Sequence, residues 1–310
     1  MTLREYLKEK TELLSRASVE DAENEVWTVL MTCLLKSRGE IRASLDAPAG
    51  SFLSSSEEEL LEDVFTRRAS HEPLAYIVGH APFYDLEFKV GKGVLIPRFD
   101  TEILVETALS ALGFPDMTMG ISSSVSELTS WTPGTGKEVV IYDLCTGSGI
   151  IGITLAHLLS KKKIPCRVIM TEISEEASAF AKENIDELTE GQVELQIADL
   201  WPEGVEKADL IVSNPPYVRA EEMAELSPEV RDFEPAMALT DGSDGLSIYR
   251  RIAEEIGNHL KKGGAVCLEH GCGQREEIEG IFKDKLAGLT CISDYGHRDR
   301  VTCGIYKGEA

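Results

Sequence analysis

The chain has 310 residues, 43% of them hydrophobic and 27% charged, enough for a small domain beside a larger one with a core that needs no metal or disulfide support. Its 31 Lys+Arg stand against 54 Asp+Glu, a net charge of −23, so the cationic surface that displaces counterions from phosphates is missing and non-specific nucleic-acid binding is disfavoured. The same acidity keeps a protein soluble, the plainer reading, and also suits a basic protein partner.

The N-terminus, MTLREYLKEKTELL, has no apolar signal core, and no stretch reaches the roughly 18 apolar residues of a membrane span. A cytoplasmic protein with no membrane attachment is expected. Residues 1–75 read as helices. Leu3, Tyr6, Leu7 and Leu14 fall near one face; Ser18 and Asp21 open a second helix carrying Val26, Val29, Leu30, Cys33 and Leu34. Ser54, Ser55 and Ser56 open another, with Leu60, Leu61, Val64 and Phe65, and residues 39–54 have room for a further short turn or helix. Over 76–98, Phe88, Val90, Val94 and Ile96 flank Gly91-Lys92-Gly93, a pattern that predicts a β-hairpin turning at the glycines. Residues 100–112 return to helical spacing, and 113–137, rich in Ser, Thr, Gly and Met, predict a mobile surface loop.

Beyond that point strands and helices alternate. Apolar strands are expected at 139–145, 167–173, 193–199, 208–214 and 265–270, with helices at 150–159, 174–188, 246–260 and 276–286. Gly263 and Gly264 read as the stop of the third of these helices. LTCISDY and VTCGIYK at the C-terminal end suit an antiparallel pair. The fold class is therefore α/β, a mostly parallel sheet with helices on both faces. The seven cysteines (Cys33, Cys145, Cys166, Cys267, Cys272, Cys291, Cys303) are odd in number and scattered, with no Cys-x-x-Cys pair and no His cluster beside them. Reduced thiols are expected, and no metal site.

Three motifs carry chemistry. D-L-C-T-G-S-G over 143–149 lies at a strand end and a helix start, where Gly147 and Gly149 let backbone approach a ligand and free N–H groups are offered. With Gly152 it also fits G-x-G-x-x-G, which says nucleoside cofactor; a tight packing turn uses glycines in the same way. Glu172 ends the next strand about 25 residues on, where one carboxylate can accept from two adjacent ribose hydroxyls, or, more plainly, open the following helix. Asn214-Pro215-Pro216-Tyr217 follows the apolar strand DLIVS at the carboxyl edge of the sheet. Two prolines remove two N–H donors and leave carbonyls free, Asn214 adds an oxygen and Tyr217 a flat ring, which together suit a planar –NH2 group.

With these motifs in place, N-P-P-Y is similar to the tetrapeptide of class I methyltransferases acting on planar nitrogens. HEPLAYIVGHAPFYDLEFKV, LIPRFDTEILVE, EVRDFEPAMALTDGSDGLSIYRRI and CLEHG resemble segments of the HemK/PrmC-type release-factor glutamine methyltransferases, from about residue 70 to the C-terminus. The resemblance implies a helical substrate-recognition domain at 1–75, a hairpin linker at 76–98, and at 99–310 a Rossmann-like methyltransferase domain with a seven-stranded sheet. It implies S-adenosyl-L-methionine as cofactor, held around Cys145, Thr146, Gly147, Ser148, Gly149 and Glu172, with Asp199 and Leu200 beside adenine and Asn214 close by. Asn214 and the Pro215 carbonyl would grip the glutamine amide, Pro216 and Tyr217 would wall the pocket, and Arg98, Asp100 and Glu102 would line the approach. The implied partners are class 1 peptide chain release factors, with no stable nucleic-acid partner and a monomeric enzyme. Three positions depart from the family pattern: Phe99 for proline, Cys145 for glycine and Leu200 for a frequent aromatic.

Four other readings use parts of the same evidence. An adenine-N6 nucleic-acid methyltransferase shares N-P-P-Y, but the charge of −23 and the release-factor-type flanks oppose it. A glutamine methyltransferase of a ribosomal protein differs only in substrate, and IPRFDTE favours the release-factor type. A dinucleotide-dependent oxidoreductase leaves N-P-P-Y unexplained. A non-catalytic adaptor does not account for an intact site.

Overall fold

The computed structural model describes residues 1–117 and 125–309. By backbone contacts the chain divides into two units, Met1–His80 with Ser227–Phe233, and Ala81–Leu226 with Glu234–Ala310.

The first unit is helical: α1 (Leu3–Arg16), α2 (Ala22–Leu34), α3 (Arg38–Ala43), α4 (Ala49–Phe52), α5 (Ser55–Ala69) and α6 (Leu74–Val78). Capping boxes start three of them, Thr2 with Glu5, Ser37 with Glu40 and Ser54 with Glu57, each satisfying orphan N–H groups reciprocally. The core gathers Leu3, Tyr6, Leu30, Ile41, Leu61 and Phe65, as the helical periodicity predicts, but Leu60, expected with Leu61, is 45% exposed. Arg68, only 3% exposed, forms ion pairs with Glu25 at 2.7 Å and with Glu229 at 2.8 Å. That second pair ties Ser227–Phe233, a distant stretch of chain, to the helical unit.

The second unit opens with a hairpin, β1 (His80–Phe83) and β2 (Leu86–Lys89), followed by α7 (Glu102–Ala111). The hairpin turns at Tyr84 and Asp85, with Tyr84 at φ 55, not at the glycines further on. Those glycines serve close approach instead. A Cβ on Gly91 would meet the Phe180 ring at 2.7 Å, and one on Gly93, at φ +106, would meet the Glu176 carboxylate at 2.6 Å.

The remaining elements are β3 (Val139–Leu144), α8 (Ile150–Lys161), β4 (Cys166–Glu172), α9 (Glu175–Leu188), β5 (Val193–Ile197), β6 (Ala208–Ser213), α10 (Pro228–Phe233), α11 (Ala236–Leu239), α12 (Ser247–His259), β7 (Leu260–Glu269), α13 (Arg275–Phe282), β8 (Leu286–Ser293) and β9 (Asp299–Tyr306). The sheet order is β5-β4-β3-β6-β7-β9-β8. The first five strands of that order are parallel; β9 runs antiparallel to both β7 and β8. Val139 and Ile141 pack into one core with α7 and α8, while Val140, Tyr142 and Leu144 pack into the other with α12 and α13. Strand side chains alternate sides, so a continuous apolar run marks a strand covered on both faces.

Two further expectations need correction. Gly263 and Gly264 do not stop α12, which ends at His259; they lie within β7, where the register against β6 shifts. A Cβ on Gly264 would meet the Asp209 carbonyl at 2.8 Å, so the glycine permits backbone contact in the sheet. The mobile surface loop expected over 113–137 includes 118–124, outside the described residues. In its described part Val125, Leu128 and Trp131 are buried in the core, and Leu128 N–H donates to the Ala111 carbonyl at 3.0 Å.

Candidate active site

A cavity of about 380 Å³ lies at the carboxyl ends of β3, β4 and β6, inside the second unit. This is the crevice where ligands bind in open α/β sheets.

One end is built from a strand–loop–helix. The loop between β3 and α8 needs left-handed backbone at Cys145 (φ 58), Gly147 (φ 59) and Gly149 (φ 90). Asp143, fully buried, accepts from Gly152 N–H at 2.9 Å and from the Thr146 hydroxyl, stitching the loop to the start of α8. Burial pushes its carboxyl up to about 7, against those two hydrogen bonds. Cys145, Thr146, Gly147 and Ser148 line the cavity. Gly149 does not; a Cβ there would meet Ile153 at 2.7 Å and Met170 at 3.3 Å, so this glycine lets α8 sit close to β4. Glu172 Oε2 accepts from Gly147 N–H and Oε1 from Ser174 N–H, both at 2.9 Å. The carboxylate thus braces the glycine loop and faces the cavity with its remaining lone pairs. Asp199 and Leu200 also line it. Asp199 pairs with Arg251 at 3.0 Å, and Leu200 is buried at φ 78.

The other end converges from distant segments. Asn214 and Pro216 line the cavity; Pro215 is buried and Tyr217 is half-buried, and neither lines it. The Tyr217 carbonyl accepts from Gln274 Nε2 at 2.9 Å, and burial, then the Glu269 charge, push its phenol up to about 12. Arg98 lines the cavity and pairs with Glu234, whose other oxygen accepts from Ile96 N–H at 3.1 Å. Asp100 and Glu102, expected on the approach, do not line it. Asp100 pairs with Arg300 at 3.1 Å, and Glu102 accepts from Tyr84 N–H at 3.1 Å, holding the hairpin turn. Phe99 is 72% exposed beside Arg98.

Several residues here escaped the motif reading. Thr101, Met237 and Asp241 line the cavity, while Glu234 and Glu269 back it. Burial raises the Asp241 pKa, but N–H groups of Ser247, Ser243 and Gly245 outweigh that and leave it at about 2. The turn it holds presses on the N-P-P-Y segment: a Cβ on Gly245, at φ +72, would lie 2.1 Å from the Tyr217 carbonyl oxygen. These residues sit within segments quoted for the resemblance, yet no local spacing announces them.

Residues 5–79 match the PrmC N-terminal domain family and 127–229 the methyltransferase small domain family. Among solved structures the chain is similar to the catalytic domain of hMettl16, with a TM-score of 0.53 over 80% of this chain and 83% of that one, at 13% identity, a likeness of fold. Fold and family models together define a methyltransferase. Curated relatives carry the likeness to the whole chain. The release factor glutamine methyltransferase of Clostridium acetobutylicum is 35% identical over 79% of each chain, and that of Haemophilus influenzae 32% identical over 99% of this chain and all of its own. A third, from Geobacter sulfurreducens, is 35% identical over 91% of this chain and 88% of that one. The chain belongs to the family of release factor glutamine methyltransferases.

Proposed function

We propose that this protein transfers a methyl group from S-adenosylmethionine to the side-chain amide nitrogen of a glutamine in a translation release factor, the Gly-Gly-Gln glutamine of class 1 factors. The observation that carries the reading is Asn214 and Pro216 opening into the same cavity as Gly147 and Glu172, in a chain of this family.

The residues present fit the cofactor. Nothing lies nearer than Val94, at 3.9 Å, to a Cβ built on Gly147, so the loop leaves open space beside its backbone. Glu172 would accept from the ribose hydroxyls, and Ile150, Ile173 and Leu200 offer apolar wall. When bound, the sulfonium supplies an activated methyl. The amide nitrogen is a weak nucleophile, so the work of the chain is placement. Asn214 Oδ1, on the cavity wall, accepts one of its N–H bonds and favours the positive charge that develops there. Tyr217, a neutral phenol, stays outside the cavity lining, and the half-buried setting of Asn214 strengthens its contact.

The helical unit, matched by the PrmC N-terminal domain family over 5–79, recognises the substrate protein, and the charge of −23 favours a basic surface on that partner. Among the described residues no helix is long and apolar enough to cross a membrane; the protein acts in the cytoplasm, as a monomer.

Incubation of unmethylated class 1 release factor with the enzyme and S-adenosylmethionine, read by intact mass and fragmentation, tests the reading. One methyl on the Gly-Gly-Gln glutamine is the expected result. Asn214→Ala should lower turnover by about 10²–10³ while cofactor affinity stays within about threefold by calorimetry. Turnover unchanged in that variant would refute the site.

A further inference from the structure

Two polar side chains meet Asn214 from segments far apart in the chain. Thr101, fully buried ahead of α7, accepts from Asn214 Nδ2 at 3.3 Å. Glu269, 1% exposed at the end of β7, neighbours Thr101 and Asn214, both of which pull its pKa down. Its main chain is fixed by the Tyr249 hydroxyl, which donates to its carbonyl at 2.6 Å. Glu269 Oε2 is buried with no partner among the described residues. Arg300, the neighbouring cation, is bound to Asp294 at 2.9 Å and Asp100 at 3.1 Å. A buried carboxylate without its own ion pair costs stability, so its use must lie in what it faces.

What it faces is an amide whose two ends are nearly isosteric and opposite in hydrogen-bond sense. With the NH2 end toward the cavity, Asn214 would present donors to a substrate –NH2 group. With the oxygen end there, it accepts. Thr101 has one hydroxyl proton. An ionised Glu269 can only accept, so Thr101 gives that proton to Glu269 and keeps a lone pair for Asn214 Nδ2.

We propose that Glu269 is a positioning residue for methyl transfer: through Thr101 it holds the Nδ2 end of Asn214 and so turns Oδ1 toward the substrate nitrogen. This rests on reading Asn214 as the acceptor of the glutamine N–H. Protonation reverses the chain of donors, because a neutral Glu269 can donate to Thr101, which then donates to Asn214 Oδ1. Burial pushes Glu269 up to about 7, with Thr101, Arg300 and Asn214 pulling it back and Asp100 adding to the rise. The other groups around it are the Tyr217 and Tyr249 phenols, raised and neutral at that pH, and His270, the next residue in the chain, lowered by burial. Asp143, also at about 7, lies under the cofactor loop, so the profiles are compared at saturating S-adenosylmethionine and between wild type and variant.

The test is kcat against pH from 6 to 9 with unmethylated release factor, for wild type and Glu269→Gln. The wild-type rate should fall below about pH 7 as the carboxylate protonates. In Glu269→Gln, kcat should drop by about 10–100-fold and the acid limb near 7 should vanish, with KM for the release factor and Kd for S-adenosylmethionine within about twofold. A variant kcat within twofold of wild type, or an unmoved acid limb, overturns the proposal. Should Glu269→Gln fail to bind S-adenosylmethionine, Thr101→Val and Thr101→Ser decide. Val should fall at least tenfold below Ser in kcat, and parity overturns the proposal. If Asn214→Ala keeps turnover, the site reading itself has failed; if it is inactive while Glu269→Gln matches wild type, only the present inference has.

Discussion

The two ends of the cavity are built on different plans. The cofactor end is one short stretch of chain, β3, a glycine loop and the start of α8, braced by Glu172 from the adjacent parallel strand. The acceptor end needs Arg98 and Thr101, Asn214, Glu234, Asp241 and Glu269, drawn from across some 170 positions of sequence. A local site is fixed once its strand–loop–helix forms. A convergent site depends on the whole sheet and on buried polar contacts that span it, so damage at a distance should reach it more readily.

The sharpest way to break the comparison is to cut the brace at the cofactor end. Glu172→Ala removes the acceptor of Gly147 N–H and Ser174 N–H and the carboxylate offered to the ribose. Hydrogen bonds to a charged group contribute about 1.5–3 kcal/mol, so affinity for S-adenosylmethionine should fall about 10–150-fold by calorimetry. At saturating cofactor kcat should stay within about threefold, because the acceptor end shares none of these bonds. A kcat loss as deep as that of Asn214→Ala would mean that the two ends are not separable.

Gly245→Ala probes the opposite end from outside the cavity lining. The added Cβ would sit 2.1 Å from the Tyr217 carbonyl oxygen, in a left-handed backbone at φ +72. Relief requires moving either the turn held by Asp241 or the N-P-P-Y main chain, at about 2 kcal/mol or more. The melting temperature should drop, and kcat should fall while cofactor affinity holds within about threefold. Cofactor affinity lost in step with kcat would show that the strain spreads through the sheet.

The same contrast explains what the sequence made readable. The helical faces were legible because burial repeats at about 3.6 residues, and the central strands because they are continuous apolar runs buried on both faces. The cofactor loop was legible because its parts are contiguous. The hairpin turn was misplaced because glycines signal turns by default, whereas Gly91 and Gly93 make room for Phe180 and Glu176 and the turn falls on Tyr84 and Asp85. Gly263 and Gly264 misled for the same reason. Thr101, Glu234 and Glu269 act through partners more than 100 residues away, and no local pattern encodes such distances.

Cys145 gives the smallest expected effect. It stands where the family pattern has glycine, and its φ of 58 accounts for that preference. A non-glycine residue in this region costs about 1–2 kcal/mol, while glycine forfeits about 0.5–1 kcal/mol through the freedom of its unfolded chain. The two nearly cancel, and the half-buried thiol adds contact with the apolar core beside Tyr142 and Leu144. Cys145→Gly should therefore shift stability by less than about 1 kcal/mol and leave affinity for S-adenosylmethionine within about twofold. Burial, then the charges of Glu172 and Asp143, push this thiol up to about 12. Alkylation at pH 8 should therefore label the exposed Cys272 and spare Cys145. Rapid labelling of Cys145 would show that the cofactor loop opens, and the plan of a rigid local end against a convergent one would have to be redrawn.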